Sequence, residues 1–370
     1  MVGIIIALMA TSALAQTPWQ LETSDFQTQS VNVLKMTGSG VDYTTADGAG
    51  HHVPMERFLE LRRGESKATS PDKLVLVLSD GERFAGQAVA MGSENLRWHN
   101  PLLGELSFPV RGLVGIKLPG SPSSATTRPT EDIVHLANGD TVQGVITGLD
   151  AKGVTIQTTA ASPTVAWNTI SGIDFASLGS SEVRSRGGWE IGMDDGSVFR
   201  TTSIAWSGNA IDVTLDKQKR SIDQSHVVDI EQVDGPVVYL SAIPMNQDVQ
   251  IPLLGAPWPA KVGEDLVGRP MPHAISVHAY SRLVWNLPGG YSRLHLEYSI
   301  PADLPLADVT VQVQIDGRVV YQQEHQHGGA SPAAIEIPLN GGHQLSLEAD
   351  TANPYRVQGF LTWIAPALVR

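Results

Sequence analysis

The chain contains no cysteine. This removes disulfide staples, thiolate-ligated zinc, iron–sulfur clusters and thiol nucleophiles together. Charge is also sparse: 17% of residues are Asp, Glu, Lys or Arg, and Lys+Arg 25 against Asp+Glu 38 leaves a net charge of −13. No polycationic surface is available to displace counterions from a phosphate backbone, which argues against nucleic acid as a partner. After residue 16 no apolar run reaches spanning length, so no transmembrane segment is expected in the mature chain. G-x-S-x-G, P-loop, H-E-x-x-H and dinucleotide fingerprints are all missing. What is plentiful is Gly (36) and Pro (23) in 370 residues, with 42% hydrophobic residues to bury. That balance favours turn-rich β architecture in more than one domain.

Residues 1–16, MVGIIIALMATSALAQ, read as a signal peptide. The apolar run 2–14 is too short to cross a bilayer comfortably, and Ala13-Leu14-Ala15 supplies the small residues a signal peptidase needs. No Lys or Arg precedes the run, but cleavage near Ala15 and a secreted, periplasmic or cell-surface protein are the expectation.

Up to position 235 the sequence repeats with a period of about 57 residues. Leu78-Ser79-Asp80-Gly81, Leu136-Ala137-Asn138-Gly139-Asp140 and Met193-Asp194-Asp195-Gly196 each place an Asp-Gly or Asn-Gly turn after an apolar run. This is a strong hairpin signal. Alternating strands follow at Leu96-Arg97-Trp98, Val154-Thr155-Ile156 and Ile211-Asp212-Val213, and each unit closes on an apolar strand ending at Ile116, Ile173 or Ile230. A degenerate copy upstream carries Val41-Asp42-Tyr43 and Phe58-Leu59-Glu60-Leu61. The expected organisation is all-β: tandem small SH3-like or Sm-like barrels at 17–66, 72–120, 131–178 and 188–235, with a linker at 121–130 and another near 179–188. Such units, hinged by their linkers, would form a stalk. Asp80, Asp140, Asp194 and Asp195 read as turn residues, because no D-x-D-x-D cradle accompanies them. No cofactor is expected; calcium is left open without support from the sequence. Trp98 and Trp167 fall at core-facing positions.

Texture changes at 236. A Pro-rich lead-in with Pro257-Trp258-Pro259 gives way to seven alternating segments, 283–287, 291–298, 309–315, 319–322, 334–337, 344–349 and 359–364, separated by Gly- and Asp-rich turns. The pattern predicts one β-sandwich or jelly roll over 236–370. A sugar site on such a fold needs an aromatic ring for the apolar face of a pyranose and a few polar groups for its hydroxyls. Trp258, His278, Tyr280, Arg282, Asn353 and Tyr355 are the candidates. Each also has a structural reading: His278 as a core histidine, and Arg282 and Arg293 as ion-pair partners of Asp303 or Asp308. Trp285, Trp363, Tyr291, Tyr298 and Tyr321 read as core or half-buried strand aromatics. His325 and His327, two apart on a strand, would share a face and hold a metal with Glu324 or His343, although Gly328-Gly329 points to a solvated loop.

Val277-His278-Ala279 with Ser281-Arg282-Leu283 and Trp285, the Gly289-Gly290-Tyr291-Ser292-Arg293 turn, Val311 through Ile315-Asp316-Gly317-Arg318-Val319-Val320-Tyr321, and Leu345-Ser346-Leu347 before Trp363 stand in a characteristic order. Over these C-terminal residues, about 130 with the lead-in, the sequence resembles the NPCBM family, carbohydrate-binding modules with a galactose-binding-like jelly roll. It departs where family members commonly carry His and Asp before, and Asp after, the terminal Trp: here stand Leu361, Thr362 and Ile364. The resemblance implies an exported, non-catalytic polysaccharide-binding protein that presents its sugar site on the repeat stalk. The alternative is a structural or protein-interaction component of the cell envelope, with envelope proteins as partners and no sugar bound.

Overall fold

The computed structural model describes residues 18–63, 74–117, 129–176, 188–215, 217–233, 235–251, 258–266, 269–351 and 357–370. Within these residues the chain is all-β, with short 3-10 turns and no α-helix, and it divides into two compact units, Met1–Val233 and Asp234–Arg370. No helix among the described residues is long and apolar enough to cross a membrane.

In the first unit one pairing scheme recurs along the chain. Strand Leu74–Leu78 pairs with both Arg83–Met91 and Leu113–Lys117, while Arg83–Met91 continues into a meander with Asn95–Asn100 and Gly104–Pro109. The same connections join Trp19–Thr23, Thr28–Thr37, Gly40–Thr44, Gly50–Pro54 and Phe58–Arg63, and again the strands of 132–174 and 188–233. Local chemistry explains the repetition. Gly81, Gly139 and Gly196 turn the opening hairpins of the second, third and fourth stretches at φ 88°, 91° and 86°, in the left-handed region that a Cβ disfavours. The second strand then shifts register at Val33/Lys35, Ala88/Ala90 and Ile146/Gly148, and in the last stretch it breaks between Thr201 and Ile204. A bulge at that point bends the strand so that it serves two small sheets. At Gly144 a Cβ would lie 2.2 Å from the Gln157 carbonyl oxygen, so this close crossing needs glycine.

The stretches are not hinged in a line. The closing strands of the first and fourth pair with each other, Leu61 opposite Ile230, and those of the second and third do likewise, Ile116 opposite Ile173. The fourth also meets the second: Val198 pairs with Arg83, and the Arg220 guanidinium donates to the Leu103 and Glu105 carbonyls at 2.5 and 2.7 Å. One apolar cluster runs through all of them, from Trp19 and Trp98 to Phe199 and Trp206. The stalk expected from the sequence is therefore replaced by a compact body. An unpaired closing strand is an exposed edge, and a second closing strand is what covers it. Most of the linker read at 121–130, and that near 179–188, lies outside the described residues. Trp98 is fully buried, and Trp167 is half-buried with its indole N–H donated to the Asp150 carbonyl at 2.8 Å.

The seam between the first and fourth stretches carries a row of acids. Glu22 lies opposite Glu60, Glu60 opposite Glu231, and Glu231 opposite Glu190, with Arg62 on Glu60 at 2.6 Å and Arg200 on Glu190 at 3.1 Å. Asp229 stands one pleat away, opposite Arg62, and its Oδ1 is shut from solvent without a hydrogen-bond partner. Burial, then the charges of Glu60 and Glu231, hold its carboxyl well above the usual carboxylate range against the pull of Arg62. A raised folded pKa means the contribution to stability is complete below about pH 4, the unfolded value, and is lost as pH rises through the folded pKa. The stability advantage of Asp229→Asn over the parent is accordingly expected to grow from acid to neutral pH in urea melts. A constant difference across pH would remove Asp229 from this account.

The second unit is a sandwich of two antiparallel sheets. One runs in the order Lys261–Glu264, Pro270–His278, Phe360–Val369, Arg293–Ser299, Ile335–Pro338, with Val237–Tyr239 also on Phe360–Val369. The other runs Gln247–Gln250, Ser281–Asn286, Gln344–Thr351, Asp308–Ile315, Arg318–His327. Leu294, Leu296, Tyr298 and Trp363 from the first meet Leu283, Trp285, Val311 and Leu347 from the second in one core. Tyr291 and Tyr321 are half-buried against it. The four strands between 237 and 278 were not legible, because prolines in this stretch imitate a loop.

Candidate functional site

Strand Pro270–His278 alternates, sending Ile275 and Val277 into the core and leaving Ser276 and His278 on the outer face. Its neighbour Phe360–Val369 does the same with Leu361 and Trp363 inside, so Phe360 and Thr362 come opposite His278 and Ser276. Ser276 and Thr362 bond through their hydroxyls at 2.9 Å and tie the two strands together. Further along this face His278 meets Phe360 edge-on, ring centroids 4.7 Å apart. Trp258 closes the group, 5.8 Å from His278 and 6.0 Å from Phe360, with 60% of its surface exposed. Three rings thus frame a corner of the sheet, and the largest faces solvent. Burial holds the His278 imidazole below its usual range, against a hydrogen bond to the Ala279 backbone, so it is neutral at neutral pH with one ring nitrogen left as an acceptor.

Arg282 belongs to the other sheet, and Tyr280 lies in the bend that leads into it. Ala279 carries the chain across the corner, and Ser281–Asn286 begins the second sheet's pairing. The Arg282 guanidinium pairs with Glu348 at 3.0 Å and donates to the Ser346 hydroxyl at 3.1 Å, while Arg293 pairs with Glu336 at 3.0 Å. Asp303 and Asp308, the partners expected from the sequence, are replaced by acids on directly adjacent strands, which register rather than sequence proximity selects. Tyr280 is half-buried; burial first, then the charges of Glu348 and Asp350, raise its phenol above the usual range, with Arg282 opposing. Of the six candidates the structure joins Trp258 to His278 and sets Tyr280 near Arg282. Asn353 and Tyr355 lie outside the described residues. Phe360 was missed, because an aromatic at the start of an apolar strand reads as core until the strand facing it is known.

The paired histidines do not form a ligand set. His325 sits at φ 54° and pairs with Asp308 at 3.1 Å, whereas the His327 ring bonds the Ala307 carbonyl at 3.0 Å. The left-handed turn at His325, within strand Arg318–His327, breaks the alternation that a shared face requires. Among the described residues no group of three His, Asp or Glu is placed to hold a metal ion.

Residues 265–369 match the NPCBM/NEW2 domain model. The NPCBM/NEW2 match takes in His278, Tyr280, Arg282 and Phe360, and Trp258 lies just ahead of it. Solved structures similar to the chain include CBM51 from Clostridium perfringens GH95 in complex with methyl-galactose, at 15% identity and TM-score 0.32 over 36% of this chain and 99% of that one. Another is CBM51-2 in complex with GlcNAc, with INT domains, from Clostridium perfringens ZmpB: 15% identity, TM-score 0.33, 52% of this chain and 40% of that one. The tandem CBM51 modules of a family 98 glycoside hydrolase from Streptococcus pneumoniae align at 11% identity and TM-score 0.28, over 80% of this chain and 88% of that one. No curated protein matches the sequence.

Proposed function

We propose that the protein is an exported, non-catalytic carbohydrate-binding protein whose second unit takes a sugar at the Trp258–His278–Phe360 corner. The exposed Trp258 ring carries the proposal: 60% of a large apolar side chain is held in water beside two further rings within a unit that matches a carbohydrate-binding family. The indole offers a flat face to the C–H side of a pyranose, and the neutral His278 imidazole, whose N–H is engaged with the Ala279 backbone, leaves its other ring nitrogen to accept from a hydroxyl. An open corner buries little area, so weak affinity is expected and retention depends on several contacts or copies. The acidic net charge favours neutral over anionic glycans.

We read the four stretches of the first unit as small, partly open barrels that form the body bearing the module. The leader at 1–16 is read as cleaved after Ala15, and an intact mass of the exported chain starting at Gln16 checks this. The full chain on a glycan array should retain a neutral glycan class. Silence from a folded protein would return it to the envelope-interaction alternative.

A further inference from the structure

The outer face of the five-stranded sheet carries a line of polar side chains, set in one row by strand register. Arg282 lies opposite Glu348, Glu348 opposite Gln312, and Gln312 opposite Gln322. These groups are bonded into a relay. Arg282 donates to Glu348 at 3.0 Å, and Gln314 donates both to Glu348 at 3.0 Å and to the Gln312 carbonyl at 2.6 Å. Gln312 in turn donates to Gln322 at 2.8 Å, and Gln322 to Glu324 at 2.6 Å. The relay holds each amide in one orientation, so its remaining valences point in fixed directions at no further entropic cost. A side-chain amide has two N–H donors and two carbonyl lone pairs. Gln312 and Gln322 each use one of either kind within the relay, leaving one donor and one acceptor apiece for a ligand.

We infer that this row is a second carbohydrate-contacting surface, on which an extended, uncharged polysaccharide lies across the strands. It rests on the glycan-binding reading above and extends it to a face with no part in the aromatic corner. Charge selects the occupant. The one cation, Arg282, is neutralised by Glu348, while Glu324 remains exposed, so sulfated or uronic chains are repelled. A protein partner would need an apolar centre, whereas the centre of this row is amides and ions, with exposed Val249 only at its end opposite Arg282 and exposed Val319 beside it opposite Gln314. Hydroxyls both donate and accept, which matches the paired valences left on each glutamine. Strands spaced about 4.8 Å apart repeat those valences at an interval comparable to one sugar unit of an extended chain.

The test uses the full chain, with galactan, xyloglucan and mannan as polymer probes and galactose, glucose and mannose as monosaccharides. Gln312→Ala/Gln322→Ala is expected to weaken retention on the bound polymer about tenfold, as two lost hydrogen bonds imply, and to leave monosaccharide binding unchanged. Trp258→Ala is expected to weaken both. Polymer binding equal to the parent's in the double variant, with Trp258→Ala still defective, overturns the row while sparing the corner. Absence of binding by the parent to every probe overturns both. Gln322 is exposed, so Gln322→Ala alone, with half the effect expected, serves if the double variant melts early.

Discussion

Asn100→Ala is expected to destabilise the first unit by about 3 kcal/mol, the largest effect of any polar substitution there. Asn100 is completely buried where the second and fourth stretches meet. Its Nδ2 lies 2.9 Å from the Ala85 carbonyl, 3.1 Å from the Ser197 hydroxyl and 2.8 Å from the Asp195 carboxylate. Its Oδ1 accepts from the Leu102 and Leu103 amides at 2.8 and 2.7 Å. Truncation orphans the buried Leu103 N–H and the part-buried Leu102 N–H and takes a donor from a part-buried carboxylate, and an unmade buried hydrogen bond costs about 1–3 kcal/mol. Asn100→Asp separates hydrogen bonding from packing. It keeps the acceptor for Leu102 and Leu103 but sets a second carboxylate against Asp195, so its defect should be greatest at neutral pH and shrink on acidification. Urea midpoints across pH provide the measurement. A loss under 1 kcal/mol in the alanine variant would mean that this junction contributes little to holding the stretches together.

Trp258→Ala is expected to lower retention on the bound glycan about thirtyfold, the effect of removing an aromatic anchor worth about 2 kcal/mol, with the melting temperature unchanged. The two readouts diverge because the ring is mostly solvated and contributes little to the core. Phe360→Ala should be milder for binding and harsher for stability, since its ring supports the edge of His278 and sits half-buried on a paired strand. Trp258→Phe should recover part of the affinity by restoring a flat face. Affinity electrophoresis beside thermal melts reports both quantities. Early melting of Trp258→Ala would instead make the indole a structural group.

How far the sequence carries the reader differs between the units. In the first, Asp-Gly and Asn-Gly turns and alternating strands made the local elements legible, because these signals span only a few residues and act through backbone conformation. Pairing of the closing strands was not legible: Leu61 meets Ile230 across about 170 residues, and nothing local marks which exposed edge covers which. In the second unit seven of the strands announced themselves by period two, while those around the proline-rich lead-in did not. At the corner, Trp258 and His278 were identifiable as residue types suited to a sugar. Phe360 joined them only through strand register, and Arg282 proved already engaged with Glu348.

Composition and pattern alone thus determined an all-β chain without thiol chemistry and its repeating turns, beside which its C-terminal residues resemble the NPCBM family. These depend on residue type and short-range spacing, which conformational preference reads directly. The tertiary structure decided that the repeating stretches pack into one body, that the acids of the seam press on Asp229, that the paired histidines part company, and which rings meet at the corner. Each of these turns on register between strands distant in sequence, where a shift of one residue reverses every side chain, and only the packed sheets settle it.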